Sequence, residues 1–292
     1  MPTSPTSELL DLLTLERLEQ RLFRGQSRDI GSKNVFGGQV LSQALSAAQA
    51  TVDLLDPPRA AHSLHAYFLR AGDIRHPIVY EVDLTRDGGA FSVRRVTAVQ
   101  HGKVIFFAAV SFQQHETGVE HQLPMPEVPA PDTLTPAPAI PEPVLAQLPD
   151  MIQRWMARTG PFEFRPVLSY DELNPPKMPP FQQFWFRLSG RVGDAPELHR
   201  TLLAYVSDFR LLAAANLPHG IVHYQPGVQM ASLDHALWFH RPFRVDDWLL
   251  YAIDSPSAQG NRGLSRGMMY DRQGRLVASV AQEGMIRVRS GH

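Results

Sequence analysis

The chain is 292 residues long, which at about 150 residues per domain allows two domains or one large one. Its 43% hydrophobic and 20% charged residues exclude a disordered or fibrous chain, and 28 basic against 29 acidic residues leave a net charge of −1 that offers nothing general to nucleic acid or an anionic membrane. The absence of cysteine excludes disulfide frameworks, cysteine-ligated zinc, iron–sulfur clusters and cysteine nucleophiles, so any hydrolysis must use oxygen nucleophiles.

At the start, Met1-Pro2-Thr3-Ser4-Pro5-Thr6-Ser7 lacks the basic residues and apolar run of a secretory signal. No uninterrupted apolar segment approaches the ~20 residues that span a bilayer, so a cytoplasmic protein without a membrane partner is expected. Asn34-Val35-Phe36-Gly37-Gly38 leads into a predicted helix over Gln39–Val52, where Val40, Leu41, Ala44, Leu45, Ala47 and Ala48 have the spacing of one buried face. Predicted strands follow at Ser63–Leu69, Ile78–Thr85, Ser92–Gln100 and Val104–Gln113, separated by turns such as Asp87-Gly88-Gly89 and His101-Gly102-Lys103. Between Pro124 and Pro149 lie 9 of the 25 prolines, a density that neither helix nor sheet accepts. The chain is therefore divided into a first repeat over 1–123, a Pro-rich linker over 124–150 and a second repeat over 151–292. A second helix carries the stripe Leu198, Leu202, Tyr205 and Phe209 and stops before Pro218 and Gly220. Strands are predicted again at Ala231–Arg241, Trp248–Ser255, Gly263–Tyr270 and Leu276–Val288.

The halves repeat one another. An offset of 171 residues pairs Phe68 with Phe239, Arg70 with Arg241, Tyr80 with Tyr251, Asp83 with Asp254, Gly89 with Gly260 and Arg95 with Arg266. An offset of 172 then pairs Gly102 with Gly274 and Val104-Ile105 with Leu276-Val277. A tandem duplication of one helix on an antiparallel sheet follows, an α+β arrangement.

Polar residues break this symmetry in the second half only. Side chains alternate along a strand, so Gln282 lies with Val280, Gly284, Ile286 and Val288 on the apolar face of the last strand, where the first half has Val110. Such a glutamine is either bonded to backbone or part of a site, because leaving it unsatisfied costs roughly 1–3 kcal/mol. Asp208 borders the packed face of the second helix, as a solvated edge residue or as a cleft carboxylate, while the first helix has no acid before Asp53. Ser232, opening the strand Ser232-Leu233-Asp234-His235, is a third polar candidate, and Trp238-Phe239-His240-Arg241-Pro242-Phe243 would wall a pocket or a core.

Two motifs carry less than they suggest. Gly263-Leu264-Ser265-Arg266-Gly267 fits G-x-S-x-G, but a nucleophile elbow needs a strand-to-helix turn with a later acid and histidine, and the only later histidine is His292. His235 and His240 face opposite ways on a strand, and His219 with His223 lacks the glutamate of H-E-x-x-H, so no metal site is expected. From Gln259 onward six arginines stand against two acids, which suits either phosphate oxygens or a solvated sheet face.

Val35-Phe36-Gly37-Gly38-Gln39-Val40 with Ser42-Gln43-Ala44, then Ser207-Asp208, Asp234-His235 through Trp238-Phe239-His240-Arg241-Pro242, and Val280-Ala281-Gln282-Glu283-Gly284 resemble the acyl-CoA thioesterase II family over nearly the whole chain outside the linker. The resemblance implies a double hotdog, two long helices each wrapped by an antiparallel sheet. It places a water-activating trio on Asp208, Ser232 and Gln282, with Ser232 where many members have threonine. It further implies acyl-CoA as substrate, no separate cofactor, direct attack of water on the thioester, and carbonyl-oxygen donors at Gly37 and Gly38. Phe36, His235, Trp238 and Arg266 are the remaining substrate-binding candidates, the last for CoA phosphates. A non-catalytic acyl-CoA sensor on the same scaffold is the competing expectation. A dehydratase would need a histidine beside the acid, and nothing in the pattern pairs His235 with Asp208. Sheet edges left open favour a homodimer or higher homo-oligomer.

Overall fold

A computed structural model describes residues 4–31, 34–53, 55–136, 153, 160–171, 174–223, 225 and 227–289. The first half runs α1 (Pro5–Leu13), β1 (Glu16–Glu19), β2 (Leu22–Gly25), α2 (Gly37–Gln49), β3 (Arg59–Phe68), β4 (Ile78–Asp87), β5 (Phe91–Gln100) and β6 (Lys103–Gln114). The second runs β7 (Phe162–Pro166), β8 (Phe181–Leu188), α3 (Pro196–Ser207), β9 (Val228–Ser232), β10 (Asp234–Phe239), β11 (Leu249–Gln259), β12 (Arg262–Asp271) and β13 (Leu276–Val288). All join in one antiparallel sheet of order β1-β2-β4-β5-β6-β3-β10-β13-β12-β11-β8-β7, with β9 also on β13. The halves meet at β3 and β10, where His65 faces Ala236. These two residues are related by the 171-residue offset, so a pseudo-twofold axis passes between them.

The duplication is visible in the ladders. Arg94 pairs with Val110 between β5 and β6, as Ser265 pairs with Gln282 between β12 and β13. Arg70 Nη1 donates to Val104 O at 2.5 Å, and Arg241 Nη1 repeats the bond to Leu276 O at 2.9 Å.

Each helix covers the inner face of its half-sheet and the two pack on each other. The apolar stripe of α2 is wholly buried, and each of Leu41 and Leu45 contributes roughly 1.5–3 kcal/mol by leaving water. Three polar residues are buried on α2 as well: Gln39, Ser42 and Gln43. Gln43 donates to Leu12 O at 2.7 Å and Gln26 O at 2.9 Å and accepts from Tyr80 at 2.7 Å, so these polar groups tie the first-half loops to the helix.

The elements differ from the sequence expectation in three places. α1, β1, β2, β7 and β8 were not foreseen, so strands precede as well as follow each long helix; the four-residue β1 and β2 carry too little periodicity to read. α3 stops at Ser207, well before Pro218, because Asp208 forms its C-cap, Arg210 turns to a left-handed φ of 61°, and two 3-10 turns follow. Ala231–Arg241 is two strands: Ser232 closes β9, and Leu233 breaks the run before β10. Residues 137–150 of the predicted linker lie outside the described residues. Pro124–Pro136 forms no helix or strand apart from a 3-10 turn at Pro131–Thr133 and docks on the second half, with Trp185 Nε1 donating to Pro129 O at 3.0 Å. Among the described residues no helix is long and apolar enough to cross a membrane.

Candidate active site

The C-terminal end of α3 meets the N-terminal end of α2. Asp208, one residue past α3, directs its carboxylate across the boundary, and Oδ2 accepts from the Gly38 amide at 3.1 Å. Phe36, the N-cap of α2, makes no side-chain cap bond, and a carboxylate from the other half supplies the cap that the helix's unpaired amides and dipole favour. The approach requires glycine. A Cβ on Gly37 would stand 2.6 Å from Asp208 Oδ2, and one on Gly38 would stand 2.1 Å from Tyr205 O.

Ser232 Oγ donates to Asp208 Oδ1 at 3.4 Å, and Gln282 Nε2 donates to Ser232 Oγ at 2.9 Å. The structure thus joins Asp208, Ser232 and Gln282, with Ser232 brought opposite Gly284 by the β9–β13 ladder. Gln282 Oε1 lies 2.6 Å from His235 Nδ1, and His235 Nε2 lies 3.0 Å from Ser207 Oγ. Tyr251 fixes the end of α3 from below, donating to Ser207 O at 2.7 Å.

Electrostatics follow enclosure. Burial pushes the Asp208 carboxyl up to about 7, although donors at Gln282, Ser232 and Gly38 pull the other way. His235 is 1% exposed, and burial pushes its imidazole down to about 4 against the bond to Gln282, so it is neutral near pH 7. An acid that titrates near neutrality between hydrogen-bond donors can take a proton from water.

Phe36 is brought to the site, its ring 4.7 Å from that of Phe209 and 5.1 Å from that of Tyr205. Gly37 and Gly38 are there too, but the Gly38 amide expected to serve a carbonyl oxygen is engaged by Asp208. His235 lies beneath Gln282, with both ring nitrogens occupied, and not at a substrate surface. Trp238 and Arg266 are not brought together with the trio: each alternates with inward residues of its strand and lies on the opposite sheet face. Arg266 is held by both oxygens of Asp254 at 2.9 and 2.7 Å, and Trp238 meets the edge of His65.

Arg262, Arg272 and Arg275 are likewise paired, with Glu283, Asp132 and Asp271. Arg272 and Arg275 border a cleft of about 770 Å³ that also includes Arg187 and Trp248 but none of the trio.

Ser265 belongs to a strand interior, which removes the elbow geometry of its motif. It is nevertheless a neighbour of the site that sequence reading missed: directly opposite Gln282, its hydroxyl is buried and has no partner among the described residues. The signal was available in the offset, which sets Ser265 against Arg94. Among the described residues one group, Asp73, His76 and His101, has metal-ligand spacing, with ligand atoms within 4.8 Å. Arg75 holds both oxygens of Asp73, at 3.0 and 2.9 Å, and its donation keeps that carboxyl well below the usual range.

Comparisons with known proteins identify the family. The family model described as acyl-CoA thioesterase matches residues 156–285, and that described as acyl-CoA thioesterase N-terminal domain matches residues 24–113. Acyl-CoA thioesterase 2 of Haemophilus influenzae is 41% identical over 281 residues, covering 96% of this chain and 97% of that protein. Human acyl-coenzyme A thioesterase 8 is 42% identical over 287 residues, covering 95% and 88%. The crystal structure of acyl-CoA thioesterase II TesB2 from Mycobacterium marinum superposes with a TM-score of 0.76 at 41% identity, covering 97% of this chain and 99% of that one. A hot dog fold protein from Alicyclobacillus acidocaldarius, 18% identical with a TM-score of 0.76 and covering 96% and 98%, shares the fold. With a duplicated hotdog, a carboxylate at the helix junction and this similarity along nearly the whole length, the chain belongs to the acyl-CoA thioesterase II family of thioester hydrolases.

Proposed function

We propose that the protein hydrolyses acyl-CoA thioesters by direct attack of water, with Asp208 as general base and Ser232 and Gln282 orienting the water. The observation that carries the reading is the raised Asp208 carboxyl, held in contact with a hydroxyl and, through it, an amide at the positive end of α2. Water donates one proton to Asp208 and accepts from the Gln282 amide, leaving a lone pair for the thioester carbon. The carbonyl oxygen, which gains charge as the tetrahedral intermediate forms, lies toward the start of α2, where the helix dipole favours negative charge. Collapse breaks the C–S bond, and the thiolate of CoA takes the proton from Asp208, giving a carboxylic acid and CoA. A positioned base contributes typically 10²–10⁴-fold. The aromatic wall of Phe36 and Phe209 gives the acyl chain an apolar neighbour, at roughly 0.8 kcal/mol per buried CH₂.

Thiol release from acyl-CoA esters of increasing length, read with a thiol-reactive dye on the wild type and Asp208→Asn, tests this. With no cysteine the protein gives no background. Release by the wild type that collapses by at least about 10²-fold in the mutant is expected. Binding of CoA esters without turnover in the wild type would overturn the reading and leave a sensor.

A further inference from the structure

We propose that His235 is a positioning residue for this hydrolysis, its Nδ1–H holding the Gln282 carbonyl so that the Gln282 amide N–H groups face Ser232 and the attacking water. The inference rests on the hydrolytic reading of Asp208 given above. An amide side chain has an acceptor end and a donor end, and which end faces the site is decided by what binds the other. Among the described residues the hydrogen-bond partner at the Oε1 end of Gln282 is the imidazole, at 2.6 Å.

The imidazole is neutral, because it is buried to 1% exposure and its pKa is pushed to about 4, so it carries one N–H. With the proton on Nδ1, a single directed chain results: Ser207 Oγ to His235 Nε2, His235 Nδ1 to Gln282 Oε1, Gln282 Nε2 to Ser232 Oγ, Ser232 Oγ to Asp208 Oδ1. With the proton on Nε2, Ser207 would give its own to Ala204 O at 2.9 Å, and the Gln282 amide would have to turn over. Ser232 would then donate to the Gln282 carbonyl and leave Asp208 Oδ1 without its donor. The glutamine would also offer the water an acceptor that competes with the base. The Nδ1–H form keeps both Gln282 and Ser232 as donors toward Asp208.

The duplication supplies the second line of argument. Gln282 lies on β13 between Ser265 of β12 and, one step beyond the Ala236–Ala281 pair, His235 of β10. Val110 lies correspondingly between Arg94 of β5 and Leu64 of β3. Leu64 and Val110 are both fully buried, so at the same place the first half holds an apolar pair and the second half a hydrogen-bonded one. The polar character therefore belongs to the pair, and the pair exists only where the carboxylate does.

Steady-state kinetics of His235→Leu and His235→Asn, with an imidazole ¹⁵N spectrum of the wild type assigned by the signal that both variants lose, test the proposal. Leucine restores the residue type of the first half but removes the donor. kcat should fall by about 10²-fold with KM changed by less than about threefold, as for a mispositioned reacting group. Asparagine places an N–H near the position of Nδ1 and should recover kcat to within about tenfold of the wild type. The ¹⁵N spectrum should show the Nδ1–H tautomer. An Nε2–H tautomer, or a folded His235→Leu enzyme with kcat within about threefold of the wild type, would overturn the proposal; the spectrum decides it alone if the leucine variant does not fold. Asp208→Asn in parallel separates the two readings: if it retains activity the hydrolytic assignment fails, whereas if it alone collapses only the role of His235 fails.

Discussion

In its proposed role as base, two demands on the Asp208 carboxylate conflict, since it must be enclosed to titrate near neutrality and ionised to accept a proton. Its pKa of about 7 predicts that kcat/KM rises with pH through an inflection near 7, and that this inflection is absent from the residual activity of Asp208→Asn. The same shift acts on stability in the opposite direction. In the unfolded chain an aspartate titrates near 3.9, so between that pH and about 7 the native protein retains a proton that the unfolded chain has lost. Stability attributable to this group is complete below about pH 4 and declines as pH rises toward 7, at up to about 1.4 kcal/mol per unit. Asp208→Asn removes the titration, so its denaturant midpoint should gain on that of the wild type between pH 4 and pH 8. An unchanged difference between the two proteins at those pH values would show that the carboxylate is not held in its neutral form by the fold.

The elements that carry the site show what the sequence could and could not reveal. Gln282 was legible because strand alternation places it inward and the offset exposes Val110 as its apolar counterpart. β13 was legible to its end residues for the same reason. The junction of α2 with α3 was not, because contacts between halves are set by packing of two helices and leave no periodicity in either segment. Asp208 could be placed at the border of a helix face, but not at its C-cap reaching the Gly38 amide. His235 was legible as a strand residue facing away from His240, and its link to Gln282 required knowing which strand lies beside β13. The paired glycines of α2 are explained by that junction. Gly38→Ala should unfold the protein more readily, by about 1–3 kcal/mol or more, because its Cβ meets backbone at Tyr205 O. Gly37→Ala meets a side-chain oxygen of Asp208 instead and should cost activity more than stability. Thermal midpoints and kcat of both variants check this, and an equal loss of stability with unchanged kcat for Gly37→Ala would contradict it.

A duplicated molecule with a pseudo-twofold axis between His65 and Ala236 has two equivalent positions for a site, and only one is furnished. In the first half Val110 stands for Gln282, Leu64 for His235 and Ala61 for Ser232, and all three are buried apolar residues. Arg94 stands for Ser265, and its guanidinium is fully buried, bonded to Thr51 Oγ1 at 2.9 Å, to Arg86 O at 3.2 Å and Val93 O at 3.0 Å, and to Asp87 at 2.8 Å. That large side chain stands opposite Val110 as Ser265 stands opposite Gln282, and its hydrogen bonds go to its own half. The first repeat is therefore filled, and its remaining contribution to the proposed site is the glycine start of α2 at the other half's carboxylate. One site per chain follows whatever the assembly in solution. Calorimetric titration with a non-hydrolysable acyl-CoA thioether should give a stoichiometry of about one per chain, and Gln282→Ala should leave that stoichiometry at one. A stoichiometry of two would mean that Arg94 leaves the first half open and that the filled position has been misread.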